Sequence, residues 1–422
     1  MRKLNLFVGA LAIVALASCS NDEVVSNVES AQLAQQSIGF SPLTKGATRA
    51  GIVNVAADLN DFAVSGFTAA AISGDRYIES ATVTTLNLAA GAVYAYGSKN
   101  MQNIKVVYSD GGWNYDNAAQ MMYWPFVSDG NNNYTSNDAL NFSAVSPAAA
   151  AAASTGADGV ELKNENYTIK NYVVGNDDLC FAEKSGATQG DGQVALEFKH
   201  LLSQIKFAAK KASGMTVYIN NIALGAIPNK GDKNSKTSTD KWTLVDPTTE
   251  VNTYSVLSAE TEITSTDTPQ ELGESIIVLP QKAADNTYSL EAGTTIGRGQ
   301  GDPTSASDPT PISSDNGKKN IEASGKIYLK VSVKAQAAGG TWLIGDASTY
   351  KDIYFWVKTE WLMGTKHTYY LLFGGVSGPG TSTTDTGGGT NIYGEKEFSA
   401  SPITFSASIT DWTEGDGINT SF

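Results

Sequence analysis

Histidine occurs only twice in this 422-residue chain, at positions 200 and 367, and cysteine only twice, at 19 and 180. So little histidine leaves the common nucleophile–base pairs and zinc sites with almost nothing to draw on. Cys19 closes an N-terminal leader, so Cys180 is the one thiol left to the rest of the chain and no intramolecular disulfide is expected there. Stability must then come from core burial and sheet pairing. Basic residues are in deficit as well: 29 Lys and Arg stand against 43 Asp and Glu, a net charge of −14. That balance argues against nucleic acid and anionic lipid head groups as partners. Sustained amphipathic helical periodicity is scarce. The six alanines Ala148 to Ala153 could form one local helix, but they offer little to bury.

What is present points to a folded, exported protein. Hydrophobic residues make up 41% of the chain and charged residues 17%, enough for real cores and too few charges for a disordered chain. The length suggests two or three domains. Arg2 and Lys3 supply a short positive region, and Leu4 to Leu16 an apolar stretch interrupted only by Asn5 and Gly9. That stretch is too short to span a bilayer as a permanent helix, and its order of parts is that of a signal peptide. Leu16-Ala17-Ser18-Cys19 ends it with small residues before a cysteine, the lipoprotein variant of the site. We expect residues 1–18 to be removed and Cys19 to carry diacylglycerol and a further acyl chain such as palmitate. Two or more chains anchor stably, which makes the membrane a partner through this lipid. Residues 19–36 are polar and acidic and read as a tether.

Beyond the tether, short runs of period-two alternation recur between clusters of Gly, Asn, Asp, Ser and Pro, the pattern of antiparallel sheet. Ile327, Leu329, Val331 and Val333 share one face. Val194, Leu196 and Phe198 make another, as do Ile353, Phe355 and Val357. His367, Tyr369, Leu371 and Phe373 make a fourth, and Ile403, Phe405, Ala407 and Ile409 a fifth. Many short strands predict an all-β protein of β-sandwich architecture. A change in character near Lys210 to Gly214 divides it into an N-terminal domain, 37–212, and a C-terminal domain, 213–422. Ser128 to Asp138, Gly297 to Asn320 and Gly374 to Asn391 read as long polar loops.

Several motifs give weaker signals. Asp129 to Asn133 and Asp315-Asn316-Gly317 offer oxygen ligands but lack EF-hand spacing, so solvated turns are the better reading. Gly297 to Gly301 resembles a phosphate loop only superficially, with no strand–loop–helix around it. His200 reads as a structural histidine hydrogen-bonded at a sheet edge, and Cys180 as a small buried hydrophobe. Trp113, Trp124, Trp342, Trp356, Trp361 and Trp412 are spread over both domains, which favours core packing over a sugar platform. Paired carboxylates such as Asp177 and Asp178 leave a hydrolase as a third class, but nothing in the sequence arranges them. No enzyme, cofactor or metal is expected.

One ordered set of motifs resembles the fimbrillin family, the subunits of protease-processed (type V) pili of some Gram-negative anaerobes. Ile38-Gly39-Phe40 and Thr48-Arg49-Ala50 come first, then Trp113, Tyr123-Trp124-Pro125 and Leu140 to Pro147. Asp178 to Ala182 and VALEFKHLLSQIKF (194–207) follow. Leu279-Pro280-Gln281, Trp361 with Gly364, Tyr369-Tyr370 and Asp411-Trp412 complete the series. The resemblance implies two tandem transthyretin-like β-sandwich domains. It also implies an outer-membrane lipoprotein at the cell surface that joins a fimbrium after processing and serves cell adhesion. An Arg-specific protease would cut at Arg49-Ala50 and release the strand around Ile38 and Phe40. A donor strand from another fimbrillin subunit, homotypic or heterotypic, would fill the vacated groove. The donor lies within Ser406 to Phe422. If the face 403–409 belongs to the folded domain, the donor is the tail with Trp412, Ile418 and Phe422. A ligand on a host or bacterial surface is a further expected partner. The alternative is a surface glycan-binding lipoprotein of a nutrient-uptake system, which would keep its lipid and need no cut at Arg49.

Overall fold

The computed structural model describes residues 37–43, 59–78, 83–109, 111–128, 134–234, 241–257, 259–282, 327–357, 359–374 and 404–411. Among these residues the regular structure is strand, broken only by three short 3₁₀ turns. One of the turns, Ala148–Ala150, is all that forms from the alanine run. Alanine favours helix, but the run has only methyl groups to bury, chiefly those of Ala150 and Ala152, and Pro147 precedes it.

Two cores account for most of the burial. The first lies between a six-stranded sheet and a second layer. In order across the sheet, its strands are Lys199–His200, Cys180–Ala187, Leu140–Ser146, Asp61–Thr68, Ile104–Ser109 and Gly112–Tyr115. The facing layer holds Tyr134–Asn137, Phe126–Ser128, Ile72–Tyr77 and Val83–Leu88, with the pair Phe40–Leu43 and Val194–Glu197 beside them. Phe62, Val64, Phe142 and Ala144 from one side meet Ile38, Phe40, Ile72, Leu86 and Phe126 from the other. Alternation explains the arrangement: inward side chains of both sheets interdigitate, as in any sandwich.

The second core repeats this plan. Gln270–Val278, Ser203–Lys211, Thr365–Phe373 and Thr404–Asp411 form one sheet, and Val251–Ser255, Thr216–Pro228, Tyr328–Gln336 and Trp342–Ile344 the main path of the other. The sequence faces fall where alternation puts them: Leu329, Val331 and Val333 are buried, and so are Tyr369, Leu371 and Phe373. Ser203–Lys211 runs parallel to Thr365–Phe373, which period-two alternation alone does not reveal. The chain leaves the first core at Phe198 and enters the second at Ile205. We propose that the domain division follows the cores rather than the turn near residue 212.

A third cluster joins the two. Asn166–Val173 pairs with Lys230–Lys233, so strands from both halves of the chain share one sheet. Trp242, Leu279, Ile277, Leu201, Leu202 and Phe181 pack together behind it. One loop expectation is corrected here. Tyr134–Asn137 is a strand paired antiparallel to Phe126–Ser128, so that part of Ser128 to Asp138 is ladder, and 129–133 lie outside the described residues.

Candidate functional site: the groove filled by the N-terminal strand

Ile38 and Phe40 are 0% and 2% exposed. Pro42 is buried as well, so three alternate positions of one short segment face the first core. Phe40 sits edge-on to Phe62 at 5.9 Å and to Phe142 at 5.8 Å between ring centroids, with Tyr115 at 6.1 Å. Such aromatic pairs contribute beyond their area. Burying Ile38 and Phe40 is worth roughly 1.5–3 kcal/mol each.

The backbone is held on both edges. On one, Phe40–Leu43 runs parallel to Val194–Glu197 in the register Phe40↔Val194 to Leu43↔Glu197, and the Val194 amide donates to the Gly39 carbonyl at 2.8 Å. On the other, Ser37 bridges Tyr123, and the Ile38 amide donates to the Met122 carbonyl at 2.8 Å. The Tyr115 hydroxyl donates to the Ile38 carbonyl at 2.8 Å. Burial pushes the Tyr115 phenol well above its ordinary pKa, so it stays a donor throughout the physiological range. The segment thus pairs as a strand with Val194–Glu197 in a two-stranded sheet and is tied on its other side at Ser37 and Ile38. Without it, two edges with unpaired backbone groups face a vacant apolar slot.

Pro42 does not end this strand. It lies within Phe40–Leu43 opposite Leu196. Odd-numbered positions bond toward Val194–Glu197, so Pro42 turns its nitrogen to the opposite edge. Proline is tolerated where no ladder bond is needed.

Of the other residues singled out from the sequence, Cys19, Arg49, Ala50, Trp412, Ile418 and Phe422 lie outside the described residues, as do Asp129 to Asn133, Asp315 to Gly317 and Gly297 to Gly301. Thr404–Asp411 is a strand at a sheet edge, antiparallel to Thr365–Phe373. Trp124 and Trp361 are buried at 0% and 1% exposure. Trp242, which the sequence reading passes over, closes the third cluster and donates to the Leu201 carbonyl at 3.1 Å.

A second polar constellation joins residues read separately from the sequence. His200 lies on the edge strand Lys199–His200, and its Nδ1 meets Asp178 Oδ2 at 2.5 Å. Cys180 Sγ lies 3.6 Å from the same oxygen and 3.5 Å from Nδ1. Asp178 and Cys180 are buried, whereas Asp177 is exposed, so the two adjacent carboxylates do not form a pair. The Nδ1–Oδ2 contact is a direct side-chain hydrogen bond, closer than two ligands around one zinc ion would stand. The cluster reads as a structural hydrogen-bond network. Burial first, and the Asp178 charge next, push the Cys180 thiol well up.

Fold and groove together define an all-β sandwich protein whose first core is completed by the chain's own N-terminal strand. The chain belongs to the fimbrillin-like family, whose profile matches residues 48–412. Among solved structures it is similar to a fimbrial protein from Bacteroides vulgatus, with 13% identity and a TM-score of 0.42 over 89% of this chain and 99% of that one. It is also similar to a protein assigned to cell adhesion from Bacteroides uniformis, with 13% identity and a TM-score of 0.36 over 89% and 98%. A fimbrial assembly protein from Parabacteroides distasonis aligns with 10% identity and a TM-score of 0.31 over 80% and 92%. No curated protein matches the chain.

Proposed function

We propose that this fimbrillin-like protein is a structural and adhesive subunit that reaches the cell surface as an outer-membrane lipoprotein anchored through Cys19. Its N-terminal strand acts as an internal cap. Cleavage at Arg49-Ala50 by an Arg-specific protease frees the cap together with lipid and tether, and a strand from another subunit takes its place. The supporting observation is the placement of Ile38 and Phe40: both are sealed in the first core, on a segment bonded at both edges and followed in sequence by the Arg49 site. Removing such a strand exposes apolar surface and open ladder positions at once, which creates a demand for another strand. The donor remains the tail with Trp412, Ile418 and Phe422, since Thr404–Asp411 is engaged in the second core's sheet.

The glycan-binding alternative draws less support, because Trp124 and Trp361 serve the cores and are not available as platforms. Mass spectrometry of the protein shed from intact cells separates the two. An N-terminus at Ala50 supports the fimbrial reading, and a lipidated Cys19 as the sole surface form favours the alternative.

A further inference from the structure

Arginine is scarce in this chain: it supplies four of the 29 basic residues, at positions 2, 49, 76 and 298. Only Arg76 lies among the described residues. It sits within the strand Ile72–Tyr77 of the first sandwich and is 9% exposed. All three nitrogens of its guanidinium are engaged. Nε donates to Asp138 Oδ2 at 2.6 Å and Nη2 to Oδ1 at 3.4 Å, a fork closed on both carboxylate oxygens. Nη1 donates to the carbonyls of Ser73 and Asp75 at 3.2 and 3.1 Å. Lysine, which supplies the other 25 positive charges, carries a single ammonium and cannot reproduce that planar set. The backbone is held as well. Arg76 pairs with Thr84, and Tyr77 pairs with Val83 on one side and Phe126 on the other.

These bonds deny an Arg-specific protease both things it needs. Such an enzyme draws the guanidinium into a pocket of its own and lays the substrate backbone along its cleft as an extended strand. At Arg76-Tyr77 the side chain is taken by Asp138 and the edges by neighbouring strands. We propose that Arg76 is a concealed second scission site, which makes the processing protease a check on the fold of the first sandwich. A native chain is cut at Arg49 and spared at Arg76. A chain in which Ile72–Tyr77 is not packed presents Arg76 to the protease. Hydrolysis there breaks the bond between the Arg76 carbonyl carbon and the Tyr77 nitrogen, water giving its hydroxyl to the first and a hydrogen to the second. The cut falls inside a strand, between the buried Ile72 and Ile78, so the severed chain cannot rebuild the sheet and is lost to assembly. The inference rests on the processing reading above and gives that protease a second task.

The test gives brief pulses of an Arg-specific protease to the full chain across a urea series and reads new N-termini by mass spectrometry. Cleavage at a closed site tracks the population that opens it. Without urea, Ala50 ends should form and Tyr77 ends should not. Tyr77 ends should rise only as the first sandwich unfolds. Asp138→Asn keeps the shape of the side chain but removes its charge and one acceptor. Its Tyr77 ends should form about tenfold faster than those of wild type, with the Arg49 rate unchanged. Arg76→Lys should yield no Tyr77 ends at any urea concentration. Tyr77 ends released from the native wild type as fast as Ala50 ends overturn the proposal, and so does a folded Asp138→Asn as resistant at Arg76 as wild type. If circular dichroism finds Asp138→Asn unfolded, the wild-type urea series decides alone. A chain that resists at Arg49 but yields Tyr77 ends on unfolding removes the processing reading while Arg76 stays a concealed site.

Discussion

The Tyr115 hydroxyl and the Ile38 carbonyl, 77 positions apart in sequence, meet at 2.8 Å inside the first sandwich. This bond reads backbone rather than side chain, so any strand in the groove can satisfy it. Tyr115→Phe keeps the ring against Phe40 but leaves the carbonyl without its donor. A loss of about 1–3 kcal/mol is expected, seen as a lower denaturant midpoint with faster amide exchange confined to residues 37–43. An unchanged midpoint would mean that the bond contributes nothing net.

Phe40→Ala should cost more. It empties a site between Phe62 and Phe142, and core Phe→Ala changes typically lose about 3–5 kcal/mol. Chemical denaturation of the full chain measures it. A loss below about 1 kcal/mol would indicate that the strand contributes little to the core it fills.

Much of this was legible in the sequence. Ile38 and Phe40 alternate, as do Leu329, Val331 and Val333, and a period of two states which face is buried. It does not state the neighbour. Phe40–Leu43 pairs parallel with Val194–Glu197, a contact closed across a long stretch of chain and set by which edge the fold leaves open. The same limit hides the network of Asp178, Cys180 and His200: each lies in a readable apolar context, but only pairing of Cys180 with His200 across the sheet brings the polar atoms together. Trp242 escapes for a different reason. It lies in no alternating run, and its burial comes from the sheet shared by the two halves.

Cys180 gives a prediction of its own. Its thiol is fully buried and its pKa is raised, chiefly by desolvation, so little thiolate exists at neutral pH. In the Cys19→Ser variant, iodoacetamide should leave Cys180 unmodified in the native protein and alkylate it once denaturant is added. Rapid native labelling, read by mass spectrometry, would show that the site opens readily.

The same substitution tests export. With Cys19→Ser, incorporation of a fatty-acid analogue and sedimentation with membranes should both be lost if the thiol is the acyl acceptor, as proposed. Membrane association that survives the change would place the anchor elsewhere.

The most direct test follows the edge left by the cap. In the intact chain the Val194 amide donates to the Gly39 carbonyl at 2.8 Å, and it should be protected from hydrogen exchange. After an Arg-specific protease cuts at Arg49, residues 194–197 should lose protection as the N-terminal fragment leaves. They should regain it when a peptide spanning residues 412–422 is added. Arg49→Ala should fold normally and stay protected throughout. A cut chain that remains a monomer, with residues 194–197 protected and indifferent to the tail peptide, would contradict the claim that the strand is a replaceable cap.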